Sequence, residues 1–149
     1  MKTYQELVQS EARAWLGTPY VHQASSRGNG ADCLGFVRGV WRSVEGKEPQ
    51  SIPAYSSTWA DPSGREDLLA AMTRFFHIQK EGPPQIGDVL LFRMRRNSPA
   101  KHLGILTSKD WFTHAYEAKG VVETQLCEFW KSKLVVRFVF PCLKSERFS

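Results

Sequence analysis

The hydrophobic pattern of this chain changes period once, and that change constrains the fold more than any other feature. Up to about residue 80 apolar side chains recur at helical spacing. Beyond Gly82-Pro83-Pro84 they fall into five short β-rich runs. In the first part, Tyr4, Leu7, Val8, Ala12, Trp15 and Leu16 form one stripe of a helix over residues 3–16. Thr3 and Glu6 offer it a capping box, and Gly17-Thr18-Pro19 stops it. A second helix runs from about Asp32, a plausible N-cap, to Val44, with Leu34, Val37, Val40, Trp41 and Val44 as its buried stripe. Residues 45–62, with three prolines, read as an irregular connection. Ser63-Gly64-Arg65-Glu66 is a second capping-box candidate, opening a helix with Leu68, Leu69, Met72, Phe75 and Phe76 on its apolar side. The β-rich runs are 87–92, 100–107, 111–117, 121–126 and 134–140. Their shortness and closely spaced turns predict a largely antiparallel sheet. Helices first and strands after is the α+β arrangement: N-terminal helices packed on a five-stranded sheet. The length of 149 residues fits one domain spanning 1–149, and there is no repeat or low-complexity tract.

Composition narrows the class. Twenty Lys and Arg against fifteen Asp and Glu give a net charge of +5. The basic residues are scattered, with Arg93-Met94-Arg95-Arg96 the one short cluster. The excess suits either an anionic partner or plain solubility; no nucleic-acid partner is expected. No apolar run approaches the roughly 18 residues of a membrane span, so no membrane insertion is expected. Met1 to Glu6 lacks the apolar core of a secretory signal. The expectation is synthesis in a reducing cytoplasm, with export only as part of a larger particle. Three cysteines, Cys33, Cys127 and Cys142, widely spaced and without a CxxC pair, argue against a disulfide framework or a structural zinc site. Cys127 and Cys142 read as small buried apolar residues. No cofactor is expected.

Chemistry concentrates at Gly28-Asn29-Gly30-Ala31-Asp32-Cys33-Leu34-Gly35-Phe36-Val37. A small, polar loop ends in Asp-Cys and turns at once into a helical pattern. A thiol at the first turn of a helix lies at the positive end of the macrodipole, which predicts a lowered pKa and a ready nucleophile. Gly35 and Gly39, four apart, mark a helix face that something approaches closely, a neighbouring strand being the simplest candidate. A cysteine nucleophile needs a base and a group to orient it. The histidines are His22, His77, His102 and His114. His77 follows the third helix and reads as a surface residue. His22 reads as lining the cleft or exposed. His102 and His114 lie on successive strands joined by a short hairpin. Taken singly, each would be a core, surface or catalytic residue. They share a sheet face if the hairpin loop is odd-numbered, and Thr107 to Trp111 would make such a loop; a bulge would reverse the parity. A zinc site from Cys33, His102 and His114 lacks any close-spaced ligand pair. Asp88 reads as a turn residue, and Trp111 and Trp130 as possible partner contacts.

Together, Gly17-Thr18-Pro19-Tyr20, Asp32-Cys33-Leu34-Gly35-Phe36-Val37, Gly87-Asp88-Val89-Leu90-Leu91-Phe92, His102-Leu103-Gly104-Ile105 and His114-Ala115 resemble the NlpC family of papain-like cell-wall peptidases. The likeness spans residues 12–125 and is closest to the short tail-encoded peptidases of phages and gene transfer agents. It implies a papain-like α+β fold and cleavage of peptidoglycan stem peptides, often between γ-D-glutamate and a diamino acid. It also implies a place on a phage-type tail, against hub or baseplate proteins, from which the enzyme opens the wall for DNA delivery. By position, Cys33 matches the nucleophile, His102 the base, His114 the orienting group and Tyr20 the tyrosine near the oxyanion. Asp32 and His22 fall where substrate is bound, and Asp32 equally suits an N-cap. The sequence departs from the family at Leu34, where serine is frequent, and at Val21-His22-Gln23. A tail-hub module with little activity, or an acyl transferase or amidase on the same fold, are the competing expectations.

Overall fold

The computed structural model describes residues 2–49 and 66–142. Helix α1 spans Tyr4–Arg13 and is opened by the expected capping box: Thr3 Oγ1 accepts from Glu6 N–H at 3.1 Å, and Glu6 returns to the Thr3 N–H. It ends a turn earlier than its apolar stripe suggested. The loop that follows contains a two-stranded ribbon, β1 (Ser25–Ser26) against β2 (Gly30–Ala31). Helix α2 spans Cys33–Val44 and helix α3 Asp67–Phe75. Glu66 precedes α3 but makes no capping bond; its carboxylate is drawn instead to Arg93 and to the Ala100 N–H. Ser63, Gly64, Arg65 and Trp59 lie outside the described residues.

The strands are β3 (His77–Gln79), β4 (Val89–Phe92), β5 (His102–Ser108), β6 (Trp111–Tyr116) and β7 (Gly120–Gln125), then helix α4 (Glu128–Lys133) and β8 (Leu134–Val139). The main sheet has the order β3-β8-β4-β5-β6-β7, with every pairing antiparallel. It therefore has six strands among the described residues, not five. The extra edge strand β3 carries His77, which pairs with Val139 and does not end a helix.

Strand alternation sorts the core into two layers. Val89, Leu91, Leu103, Ile105, Ala115, Val121 and Phe138 face α1 and α2, meeting Val8, Ala12, Trp15, Phe36, Val37 and Val40. Leu90, Phe92, Leu106 and Phe112 face the other way, toward Leu126 and Trp130. Both faces of β4 are thus buried, which fits its unbroken Val-Leu-Leu-Phe run. Asp88 sits just before it, fully buried, accepting from Gln85 N–H at 2.8 Å and from the buried Arg137 at 3.4 Å. Arg137 also donates to the Glu81, Gly82 and Pro83 carbonyls, so the pair braces the turn into β4.

The glycine face of α2 meets the short strand β1, whose Ser25 hydroxyl donates to the Gly35 carbonyl at 2.6 Å, and not a strand of the main sheet. A Cβ on Gly39 would stand 1.9 Å from the Trp15 ring, and one on Gly35 would stand 1.8 Å from the Ala24 carbonyl oxygen. The close partners are the end of α1 and the loop before α2, because those elements cross the helix where it starts. Trp15 is accordingly core. Cys127 is exposed rather than buried, and Cys142 is intermediate.

Candidate active site

Asp32 starts α2. Its backbone is extended, and its Oδ1 accepts from Gly35 N–H at 2.7 Å, the N-cap bond that satisfies one of the helix's unpaired amides. Oδ2 accepts from Gln23 N–H, also at 2.7 Å, and lies 3.7 Å from His22 Nδ1. Asp32 is 2% exposed. Both oxygens are thus engaged in tying the preceding loop to the helix, so Asp32 is the N-cap of α2. His22 is exposed beside it.

One residue on, Cys33 is 7% exposed at the first helical position. Its Sγ donates to the Lys101 carbonyl at 3.6 Å, and the Leu103 N–H points back at it. The thiol therefore touches the backbone on both sides of His102. Burial pushes its pKa up to about 12; the Leu103 N–H pulls against that, the Asp32 charge adds to it, and the amides of Leu34 and Cys33 oppose it. The lowered thiol pKa expected from the helix start is not met. Removing a thiolate from water costs more here than the amides return. At rest the group is a thiol.

His102 opens β5 and His114 lies inside β6. The hairpin turn is two residues, Lys109-Asp110, because Ser108 pairs with Trp111. An even turn alone would put the histidines on opposite faces. A bulge between Leu106 and Ser108 restores the parity, giving the pairs Ile105–Thr113 and Leu106–Phe112. The expected shared face is present, built by a bulge and not by an odd loop. Continuing that register sets Gly104 opposite His114. A Cβ there would be 2.7 Å from the Phe112 ring and 3.3 Å from His114 Cβ. Glycine in His102-Leu103-Gly104-Ile105 lets these rings lie across β5. His102 Nε2 then meets His114 Nδ1 at 2.7 Å. Nε2 is thus committed to His114, and Nδ1 is the other nitrogen of a ring whose flanking backbone the thiol touches.

Sequence reasoning missed two contributors. His114 Nε2 is 2.8 Å from Thr124 Oγ1 on β7. Trp130 of α4 packs edge-on against His114, centroids 5.3 Å apart, and tilted against His102 at 5.8 Å. Trp130 is 8% exposed and roofs the pair, whereas Trp111 is exposed at the hairpin end. Strand alternation groups Thr124 with Val122 and Gly120 but gives no hint of a histidine partner. The six residues of α4 carry too short a pattern to read. Burial holds His102 down to about 4 and, with the neighbouring His102 charge opposing a second proton, His114 down to about 3. Tyr20, half-buried and bridged to Ala31, has its phenol raised to about 12 by burial and by the Cys33, Asp32 and Glu117 charges. It stays a hydrogen-bond donor throughout the neutral range.

Among the described residues no three His, Cys, Asp or Glu side chains are grouped so as to hold a metal ion.

The depressed histidines make stability pH-dependent. Both folded values lie below the free imidazole's 6.5, so the unfolded chain binds more protons in acid. Their contribution is fully present above pH 6.5 and is lost as pH falls toward 4 and below. Urea unfolding between pH 7 and pH 4 should show a loss on the order of 3 kcal/mol for each histidine. The loss should shrink in His114→Gln; an equal loss in that variant would remove the histidines as its cause.

A thiol at a helix start beside a histidine pair on an antiparallel sheet defines a papain-like arrangement. The model of the NlpC/P60 family matches residues 17–139, and the chain belongs to that family. A probable endopeptidase of Haemophilus influenzae is 29% identical over 127 residues, covering 85% of this chain and 68% of its own length. The gamma-DL-glutamyl hydrolase of Bacillus subtilis is 29% identical over 85% of this chain but only 27% of its own length. The murein DD-endopeptidase MepS/murein LD-carboxypeptidase of Escherichia coli is 28% identical over 80% of this chain and 54% of its own. Among solved structures, the NlpC/p60 domain of the peptidoglycan hydrolase SagA superposes with a TM-score of 0.63 at 20% identity, covering 91% of this chain and 98% of that one. A Bacillus cereus NlpC/P60 protein gives 0.64 at 17% identity, over 89% of this chain and 39% of the other.

Proposed function

We propose that this chain is a cysteine endopeptidase of peptidoglycan stem peptides, with Cys33 as nucleophile, His102 as base and His114 orienting it. The observation that carries the reading is the Cys33 thiol lying against the backbone on both sides of His102, whose far nitrogen is held by His114. Both groups start neutral. As Sγ attacks the amide carbon, its proton passes to His102 Nδ1, so the thiolate forms only as it is consumed. The resulting imidazolium donates through Nε2 to the neutral His114. The oxyanion is held by the Cys33 N–H at the helix start and by the Tyr20 hydroxyl. His102 gives its proton to the leaving amine, the amine departs, and water, deprotonated by His102, hydrolyses the thioester.

The family membership and the names of the relatives support wall peptide as substrate. The bond from γ-D-glutamate to a diamino acid is the proposed one. Purified sacculi digested with the protein should release fragments carrying a new diamino-acid amine, read by mass spectrometry. Digests without any new amine terminus would leave the tail-hub module with little activity as the better reading. A product cut at another bond would move the specificity, and Leu34 would be the first residue to examine. We also propose that the enzyme acts from a phage-type tail, supported by its likeness to short tail-encoded peptidases. Its detection in purified tail particles by mass spectrometry would be the expected result; its absence from them would sink that placement.

A further inference from the structure

His114 is 1% exposed, and aromatic rings cover its faces: Phe112 at 4.4 Å, Trp130 at 5.3 Å and Tyr116 at 5.4 Å between centroids. Only its two nitrogen edges reach polar partners, Nδ1 to His102 and Nε2 to Thr124. Each nitrogen of a neutral imidazole is either a donor or an acceptor, and the two must differ. The chain of bonds therefore has two proton arrangements. If the Thr124 hydroxyl donates to Nε2, then His114 Nδ1 carries its proton and donates to His102 Nε2. The proton of neutral His102 is then on Nδ1, the nitrogen that the peptidase reading assigns to the base, and His102 cannot act as base. If Thr124 Oγ1 accepts from Nε2–H, every bond reverses. His114 Nδ1 becomes an acceptor, His102 carries its proton on Nε2, and its Nδ1 keeps the lone pair that a base needs. The imidazolium formed during the reaction also needs His114 Nδ1 as an acceptor, so the second arrangement serves both states.

We propose that Thr124 is a positioning residue that accepts from His114 Nε2–H and thereby fixes the base-competent tautomer of His102, two hydrogen bonds away. The proposal rests on the peptidase reading above. Thr124 touches neither substrate nor the reacting atoms; it acts through His114.

Thr124→Val keeps the β-branched shape that suits the strand and removes the oxygen. Thr124→Ser keeps the oxygen and removes the methyl. In Thr124→Val, kcat on sacculi fragments should fall roughly 10- to 100-fold with KM little changed, the size expected for a buried donor left without a partner. Thr124→Ser should recover most of the rate. Long-range proton–nitrogen NMR of protein labelled with nitrogen-15 histidine reads the tautomer without substrate. The wild type and Thr124→Ser should show His114 protonated at Nε2, and Thr124→Val should show a mixture or the opposite form. A wild-type His114 protonated at Nδ1 would overturn the proposal, as would Thr124→Val matching the wild type in both readouts, or Thr124→Ser falling as far as Thr124→Val. Because the NMR measurement needs no turnover, it decides the role of Thr124 even if sacculi prove not to be the substrate.

Discussion

Cys33→Ala should release no new amine termini from sacculi, a loss of at least about 10⁴-fold, while folding like the wild type. The two halves of that expectation have separate causes. The thiol's polar partners are backbone groups, a long bond to the Lys101 carbonyl and the Leu103 N–H, and alanine is at least as good a helix former. Deleting the sulfur should therefore shift stability by no more than about 1 kcal/mol. The chemistry has no substitute, because only Cys33 stands at the start of α2; Cys127 precedes α4 and Cys142 follows β8. His102→Ala should cost about 10³-fold, since it removes the proton acceptor. His114→Ala should cost less, roughly 10- to 100-fold, because it loosens the base without removing it. Thermal unfolding by circular dichroism, run beside the digests, separates chemistry from folding. Full activity in Cys33→Ala would refute the nucleophile, and His114→Ala weaker than His102→Ala would reverse the roles of the two histidines.

The second large effect falls on folding. Gly35→Ala would place a methyl 1.8 Å from the Ala24 carbonyl oxygen and 2.9 Å from its carbon. Backbone cannot swing aside as a flexible side chain does. That carbonyl already accepts from the Asp32 N–H at 3.3 Å, and the same loop gives its Gln23 N–H to Asp32. The loop must retreat, and the N-cap that aims Cys33 retreats with it. The helix-propensity gain of about 1 kcal/mol for alanine over glycine is too small to offset this. We expect a net loss of about 3 kcal/mol, seen as a melting temperature lowered by roughly 10 °C. The surviving folded fraction should turn over more slowly per molecule, because Cys33 is displaced. A melting temperature within 2 °C or so of the wild type would mean that the loop yields cheaply.

Much of the site was legible because its signals are local. Thr3 and Glu6 cap α1 within one turn, and Asp32 caps α2 within one turn. The segregation of helical from β-rich pattern is enough for the α+β class. His102 and His114 are joined by so short a hairpin that neighbouring strands were the natural outcome. What escaped depends on partners far apart in sequence or on three-residue detail. Strand β3 is too short to announce itself, and its partner β8 lies some sixty residues on. The six-residue α4 has no side-chain cap, so nothing in its composition predicted that Trp130 would roof the histidines. The bulge between Leu106 and Ser108 decides the facing of His102 and His114, yet Thr107 looks like any strand residue.

The sequence by itself determined the fold class, the start of α2 and the order in which the proposed nucleophile, base and orienting group follow one another along the chain. These follow from capping, periodicity and motif spacing, all of them short-range. Only the tertiary structure decided the thiol's protonation, the commitment of both Asp32 oxygens, the bulge that aligns the histidines and the link from His114 to Thr124. Each of those depends on how much water a group keeps and on which distant strand lies beside it, and burial and adjacency exist only once the chain has closed.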